Sequence, residues 1–294
     1  GIRFGHRSDM TDDLDPENYG LSWSGIVNYK DSWLTEPLNV YSKTYLDSPF
    51  KKYKNPKKSI DIALVGKYVE LQDSYKSILE SLIHAGAQNE VEVKVKSVHS
   101  EHLEKEKSID LLEGCNGIIF APGFGERGIE GKIKAITFAR EKNIPFFGIC
   151  LGMQMAVIEY ARNVLNFKEA NSTEINEKSK YPVIDLMEDQ KRLKIKGGTM
   201  RLGAWDCKLE KGSMVREIYK KEIISERHRH RFEFNNSYKN KILDGDLKSV
   251  GVNPETGLVE IIEKLNHPWF IGCLLYTSDA ADEGLGVDLG GRRI

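Results

Sequence analysis

Short apolar runs alternate with amphipathic stretches between residue 60 and Glu169. Residues 91–98 alternate valine with lysine or glutamate, as a half-buried strand does. Residues 73–85 and 128–140 carry apolar positions at helical spacing. Three further runs are continuously apolar, which is typical of strands buried on both faces of a parallel sheet: IDIALVG (60–66), GIIFA (117–121) and PFFGIC (145–150). The pattern predicts an α/β fold, a mostly parallel twisted sheet with helices on both faces.

The remainder of the chain has a different pattern. Beyond Glu169, mixed or antiparallel strands are expected to close one edge of the same domain. They are predicted over 200–209, 222–226, 249–253 and 257–263. Residues 1–50 are polar, dotted with aromatic residues and weakly periodic, and we assign them to no fold. Residues 51–59 are basic and contain a proline, which predicts a solvated linker ahead of one globular domain over residues 60–275.

Composition excludes several classes of protein. The chain has 294 residues, of which 40% are hydrophobic and 30% charged, as in an ordinary globular protein. Its net charge of −1 gives no overall attraction to nucleic acid or to an anionic membrane, and no run is long enough to span a bilayer. Four cysteines without metal-type spacing, and no leading apolar segment, favour a reducing, cytoplasmic location with no metal site.

Cys150 stands where a predicted strand meets a predicted helix, with Gly148 and Gly152 on either side. Such a turn can hold a side chain in a strained, exposed pose, and the helix N-terminus favours negative charge beside it. We therefore interpret Cys150 as a nucleophile whose thiol ionises more readily than a free one. The alternative is a buried, inert structural cysteine, which is how we interpret the other three.

A glycine-rich loop, PGFGERG (122–128), also lies between a predicted strand and a predicted helix. By itself it indicates a tight turn that needs positive φ. Because the carboxyl ends of neighbouring parallel strands meet at one edge of a sheet, we expect the loop to lie beside Cys150. The N–H groups of Gly123 and Leu151 would then form an oxyanion site.

Six segments stand out by their order and spacing: GKYVELQDSYKSI (66–78), APGFGERGIEGKI (121–133), PFFGICLGMQMAV (145–157), GGTMRLGAW (197–205), ERHRHRFEFNN (226–236) and NPETGLVE (253–260). Together they closely resemble the glutamine amidotransferase domain of the CTP synthase family. A class I amidotransferase in general would share only the cysteine turn and the oxyanion loop, whereas GGTMRLG and RHRHRFEFN indicate CTP synthase. The resemblance covers residues 52–272 and implies the class I glutamine amidotransferase fold, which is flavodoxin-like.

The resemblance implies a glutaminase domain that hydrolyses L-glutamine and supplies ammonia. An amidoligase domain of the same enzyme would use ATP and Mg²⁺ to aminate UTP to CTP, a step of pyrimidine nucleotide biosynthesis. Residues 1–50 contain no phosphate-binding loop and do not look like that domain. The glutaminase domain itself is expected to need no cofactor. The family is activated by GTP, to which the lid loop containing Arg127 is expected to respond, and it forms homotetramers.

The resemblance also implies site roles. Cys150 would attack the glutamine carboxamide and form a γ-glutamyl thioester, while Gly123 and Leu151 would stabilise the oxyanion. Further substrate-binding positions are Gly152, Met153, Gln154, Glu174 and Arg231, the last partly through its backbone. The chemistry agrees, because the ammonium group of an amino acid needs an acceptor such as a carboxylate. Without the resemblance, Glu174 would be interpreted as a surface carboxylate.

The chain departs from the family at the general base. The family continues into Gln-x-His-Pro-Glu, in which the histidine transfers protons and the glutamate orients it. Here Tyr276 occupies the histidine position and Ser278 the glutamate position. A phenol, with a pKa of about 10, cannot replace imidazole as the general base and acid at neutral pH. We therefore expect the glutaminase activity of this chain to be strongly impaired. Residues 276–294 lack helical or strand periodicity and are expected to be a non-native tail.

Two other functions stay open at this stage. A glutamine-binding or regulatory module would keep the pocket and dispense with the base. RNA binding through the basic run Arg227–Arg231 is less favoured, because Glu226 and Glu233 flank the run and the net charge is near zero. A solvated basic loop is the simpler interpretation of that run.

Overall fold

The computed structural model describes residues 52–105, 108–186 and 200–274. The predictions for residues 1–50 and 276–294, including Tyr276 and Ser278, lie outside the described residues. Strands are β1 (Lys58–Gly66), β2 (Val91–His99), β3 (Gly117–Phe120), β4 (Phe146–Ile149), β5 (Ala170–Ser172), β6 (Tyr181–Leu186), β7 (Arg201–Leu209), β8 (Ile223–His230), β9 (Phe232–Phe234), β10 (Leu247–Val252), β11 (Val259–Lys264) and β12 (Phe270–Cys273). Helices are α1 (Lys76–Asn89), α2 (Ile129–Glu141), α3 (Leu151–Asn163), α4 (Met214–Tyr219) and α5 (Lys239–Ile242).

The main sheet has nine strands in the order β2-β1-β3-β4-β12-β11-β10-β7-β8. The first five are mutually parallel, and their order is that of flavodoxin-like folds. The last four are antiparallel to their neighbours and extend one edge. The predicted α/β fold is therefore confirmed as a mixed sheet, and so is the expectation that the later strands close one edge.

The structure differs locally from the sequence prediction. Strand β8 runs through Ile223–His230 rather than ending at residue 226, so most of the basic run lies in a strand and not in a solvated loop. The first strand begins at Lys58, two residues inside the predicted linker. The first helix begins at Lys76 rather than residue 73, after a 3-10 turn at Gln72–Tyr75, and runs to Asn89. A small second sheet, β5-β6-β9, was not predicted. Its strands of three to six residues are too short to show a clear alternation.

Both faces of the parallel strands are covered, as predicted. On β1, Ala63 and Val65 belong to the main core, where α2 and α3 pack. Leu64 points to the other face and packs with Ile78 of α1. Successive side chains of a strand point to opposite faces, so one apolar run serves both layers. In the residues described, none of the helices combines the length and apolarity needed to cross a membrane.

Candidate active site

Cys150 lies in the sharp turn between β4 and α3, with φ 52° and ψ −102°. This backbone conformation is strained for a non-glycine residue, as the predicted nucleophile turn requires. The two flanking glycines allow α3 to approach the sheet. A Cβ atom on Gly148 would lie 2.7 Å from the carbonyl carbon of Gly152, and one on Gly152 would lie 2.8 Å from Cβ of Phe120.

Replacing Gly148 with alanine is therefore expected to lower the free energy of unfolding by about 1–3 kcal/mol, because the new methyl group would overlap backbone atoms of α3. Denaturant titration measures the change. Gly245→Ala is the matched control, since its Cβ would meet only Tyr160 at an ordinary 3.7 Å. Equal stability of the Gly148 variant and the control would contradict close packing at the turn.

The thiol of Cys150 is shielded from solvent. The residue is 5% exposed, and its N–H donates to the Cys273 carbonyl at 2.7 Å. Burial raises the thiol pKa to about 12, the negative charges of Glu174 and Glu233 add to this, and a hydrogen bond from the Leu151 N–H opposes it. The expectations of an exposed side chain and of a readily ionised thiol are therefore both wrong, because the residue is buried and desolvation outweighs the helix N-terminus. The thiol is protonated at neutral pH, so attack needs a base.

The glycine loop lies beside this turn. It follows β3, which pairs with β4, so both segments lie at the carboxyl ends of neighbouring parallel strands. A Cβ on Gly123 would lie 3.6 Å from Leu151 Cδ2, which places the loop against the start of α3. Positive φ occurs at Gly125 (77°) and Gly128 (72°). The tight-turn interpretation therefore applies to those two glycines and not to Gly123.

Two charged side chains fix the loop from either side. The Lys67 ammonium donates to the carbonyl oxygens of Phe124 and, at 3.0 Å, of Gly125. Glu174 accepts the Gly125 N–H at 3.0 Å, so this half-buried carboxylate belongs to the site rather than to the open surface. Lys67 was not singled out from the sequence. Its position in the sequence could have indicated its role, because it directly follows β1 and the carboxyl ends of parallel strands are where such folds bind ligands.

Of the other predicted site residues, Gln154 and Met153 lie next to Cys150 on α3, whereas Arg127 belongs to the glycine loop. Gln154 is 3% exposed on the first turn of α3, and its Nε2 donates to the Phe232 carbonyl at 2.9 Å, which brings the segment after Arg231 to the site. The Met153 side chain is fully buried in the main core, so only its backbone is available to a substrate. Arg127 lies apart, with an exposed side chain whose Nη1 is 3.2 Å from Glu101.

A strained cysteine turn, a glycine loop on the neighbouring strand and the flavodoxin-like strand order define a class I glutamine amidotransferase. The family model for glutamine amidotransferase class-I matches residues 70–273. A solved structure, the glutaminase domain of Trypanosoma brucei CTP synthase with bound acivicin, superimposes with a TM-score of 0.69 at 38% identity. The match covers 74% of this chain and 85% of that one.

Curated relatives agree with this match. CTP synthases of Flavobacterium johnsoniae and Flavobacterium psychrophilum are 53% and 62% identical over 262 residues, which cover 85% of this chain and 49% of each relative. That of Christiangramia forsetii is 60% identical over 76% of this chain and 41% of its own length. The chain thus spans about half the length of the curated relatives it matches. It belongs to the class I glutamine amidotransferases and, within them, to the glutaminase domains of the CTP synthase family.

Proposed function

We propose that this chain is the part of a CTP synthase that hydrolyses L-glutamine and supplies ammonia. An amidoligase domain would use the ammonia, with ATP and Mg²⁺, to convert UTP to CTP, in a homotetramer of the full enzyme. The names of the relatives support the assignment. The observation that carries it is the strained Cys150 turn, with the Leu151 N–H on its sulfur and the Gly123 loop beside it.

In this proposal the Cys150 sulfur attacks the amide carbon of glutamine after giving up its proton. The carbonyl oxygen becomes an oxyanion, which the N–H groups of Gly123 and Leu151 stabilise. The amide nitrogen takes a proton and leaves as ammonia, and the γ-glutamyl thioester remains. Water then cleaves the thioester, releases glutamate and restores the thiol.

The remaining residues would hold the amino-acid end of the substrate. Glu174 is placed to accept its ammonium group, because this carboxylate already reaches the loop beside Cys150. Gln154, with the backbone around Arg231, would bind the rest of that end, together with backbone groups of Gly152 and Met153. Substrate binding would compete with the present Glu174–Gly125 hydrogen bond, so the loop and the substrate site are coupled.

Regulation by GTP is proposed at the outer side of the same loop. The Arg127 side chain is 64% exposed. Burial lowers the pKa of the neighbouring Lys67, and repulsion by Arg127 lowers it further. Arg127 on the loop, with Lys67 beside it at the end of β1, would attract an anionic nucleotide. Filling this site would change the position of the loop that carries Gly123.

Turnover by the chain is proposed to be slow. Tyr276 and Ser278 stand where the family has its proton-transferring histidine and the glutamate that orients it. Burial keeps the Cys150 thiol protonated. The loss of the imidazole therefore slows the attack on glutamine more than it would if the thiol were already ionised. The same two observations favour the second candidate function, a glutamine-binding or regulatory module that does not turn over.

Acivicin, which the Trypanosoma brucei domain binds, tests the assignment. We expect mass added at Cys150 by intact-protein and peptide mass spectrometry, and protection by L-glutamine but not by D-glutamine. Because the thiol pKa is about 12, the labelling rate should rise about tenfold per pH unit above neutrality. Cys150→Ser is the control. Labelling that L-glutamine does not prevent would contradict a glutamine site.

A further inference from the structure

A second group of ionisable side chains lies buried next to the site and has no part in the chemistry above. Its members come from β7, β8, β9 and β11, and each is 5% exposed or less. They are Arg201, His228, His230, Glu233 and Glu260. Burying so many ionisable side chains is costly unless each finds a partner.

Arg201 is the centre of the group. Its Nη1 lies 3.4 Å from Glu233 Oε1, and its Nη2 lies 2.6 Å from Glu260 Oε1. The guanidinium also stacks over the Trp205 ring, 4.6 Å from its centroid. One rigid, planar cation thus joins two carboxyl groups on different strands, which a lysine ammonium cannot do with the same geometry.

Two histidines link the same carboxylates on the other side. His228 Nε2 lies 3.2 Å from Glu260 Oε2, and His230 Nδ1 lies 3.4 Å from Glu233 Oε1. The two rings share a hydrogen bond of 2.9 Å. Burial and the nearby arginine lower the pKa of both histidines to about 3, so both rings are neutral at neutral pH. Burial raises the pKa of Glu233 to about 8, so its carboxyl group is largely protonated and can donate to His230 Nδ1, which leaves each ring one N–H for the next contact.

This group holds the chain on both sides of Arg231. His230 pairs in register with Arg201 across β7 and β8, and Glu233 follows two residues after Arg231. Between them, the Phe232 carbonyl accepts the hydrogen bond from Gln154. Glu233 is also near enough to Cys150 for its charge to oppose ionisation of the thiol. The group therefore clamps the segment that the proposed function assigns to substrate binding.

A purely stabilising role is the weaker explanation. Buried ion pairs often contribute little net stability compared with apolar residues of similar volume, because desolvation offsets their attraction. Their distinctive effect is to fix one geometry. The geometry fixed here is that of the Arg231 and Phe232 backbone. Like the first turn of α3, these backbone atoms must be placed to within a fraction of an ångström for a substrate to bind.

We infer that Arg201 is a positioning residue for the glutamine site, acting through Glu233 and His230 on the backbone of Arg231 and Phe232. The inference rests on the proposed function, since it concerns the recognition of the amino-acid end of glutamine. Arg201 touches neither the substrate nor the reacting atoms. Its loss should weaken recognition of the substrate and leave the reactivity of the bound thiol nearly unchanged.

The test compares acivicin labelling of the full chain with that of Arg201→Lys. We expect the half-saturating acivicin concentration to rise at least about tenfold, with the limiting rate of labelling within about twofold. Iodoacetamide, which needs no amino-acid recognition, should label Cys150 equally fast in both proteins. Arg227→Lys is the matched control, because Arg227 is an exposed arginine on the same strand as His228. It should leave the half-saturating acivicin concentration and both labelling rates unchanged.

The possible results separate the alternatives. An unchanged half-saturating acivicin concentration in Arg201→Lys overturns the inference. A fall in the iodoacetamide labelling rate as large as the change in acivicin labelling also overturns it, because it would indicate that the substitution disturbs the whole site. If Arg201→Lys does not fold, Glu233→Leu, which keeps a similar side-chain volume but loses the contacts to Arg201 and His230, is judged by the same two criteria. If the unaltered chain shows no L-glutamine-protected labelling, the proposed function fails, and the inference fails with it.

Discussion

The double variant Tyr276→His with Ser278→Glu is expected to release glutamate from L-glutamine at least about 100 times faster than the unaltered chain. Burial holds the Cys150 thiol in its protonated form, with a pKa raised to about 12, so the proton must be removed during attack. An imidazole does this at neutral pH and returns the proton to the departing nitrogen, whereas a phenol does not. Glutamate release at pH 7 measures the gain.

Two controls sharpen this result. Ser278→Glu alone should give no gain, because a carboxylate without an imidazole has nothing to orient. Cys150→Ser in the double-variant background should abolish release, which would show that the new activity uses the proposed nucleophile. If the double variant turns over no faster than the unaltered chain but still binds glutamine, the non-catalytic binding module becomes the better description.

Replacing Glu159 with alanine is expected to lower the free energy of unfolding by about 3 kcal/mol, the scale for breaking a buried ion pair. Glu159 on α3 is fully buried and accepts from Nε and Nη2 of Arg140 on α2, at 3.1 and 2.9 Å. Thr137 and Asn163 donate to the same carboxylate. The substitution leaves the guanidinium, with only 13% of its side chain exposed, without its main partner. Urea titration measures the change.

Glu141→Ala is the matched control for this prediction. Glu141 contacts the same arginine at 3.2 Å, but its side chain is 60% exposed, and exposed ion pairs contribute about 1 kcal/mol or less. A similar loss in both variants would show that burial does not decide the strength of this pair. Because α3 carries Cys150 at its start, the Glu159 variant should also label more slowly with acivicin.

The sequence predicted the parts of the site that depend on neighbours along the chain. Gly148, Cys150 and Gly152 lie within five residues, and their order alone indicates a strained turn between strand and helix. The parallel strands could be predicted too, because burial on both faces requires continuous apolar runs. The order of the strands was not predicted, because β12 pairs in parallel with β4 although the two lie far apart in the chain.

Other features depend on residues far apart in sequence. Lys67 meets the Phe124 carbonyl across 57 positions, and Arg201 meets Glu260 across the whole of β8 to β10. Nothing local to either residue reveals the partner. The thiol pKa could not be predicted for a similar reason, because desolvation of Cys150 sums over every group packed around it, including Glu174 and Glu233.

The two outermost strands of the main sheet have a consequence for how the protein behaves when concentrated. β2 presents Lys94 and Lys96 to water, and β8 presents Arg227. A second copy of the chain that paired one of its strands with either edge strand would have to desolvate these cationic side chains. Crowded samples of the domain should therefore resist the fibril growth that bare sheet borders promote.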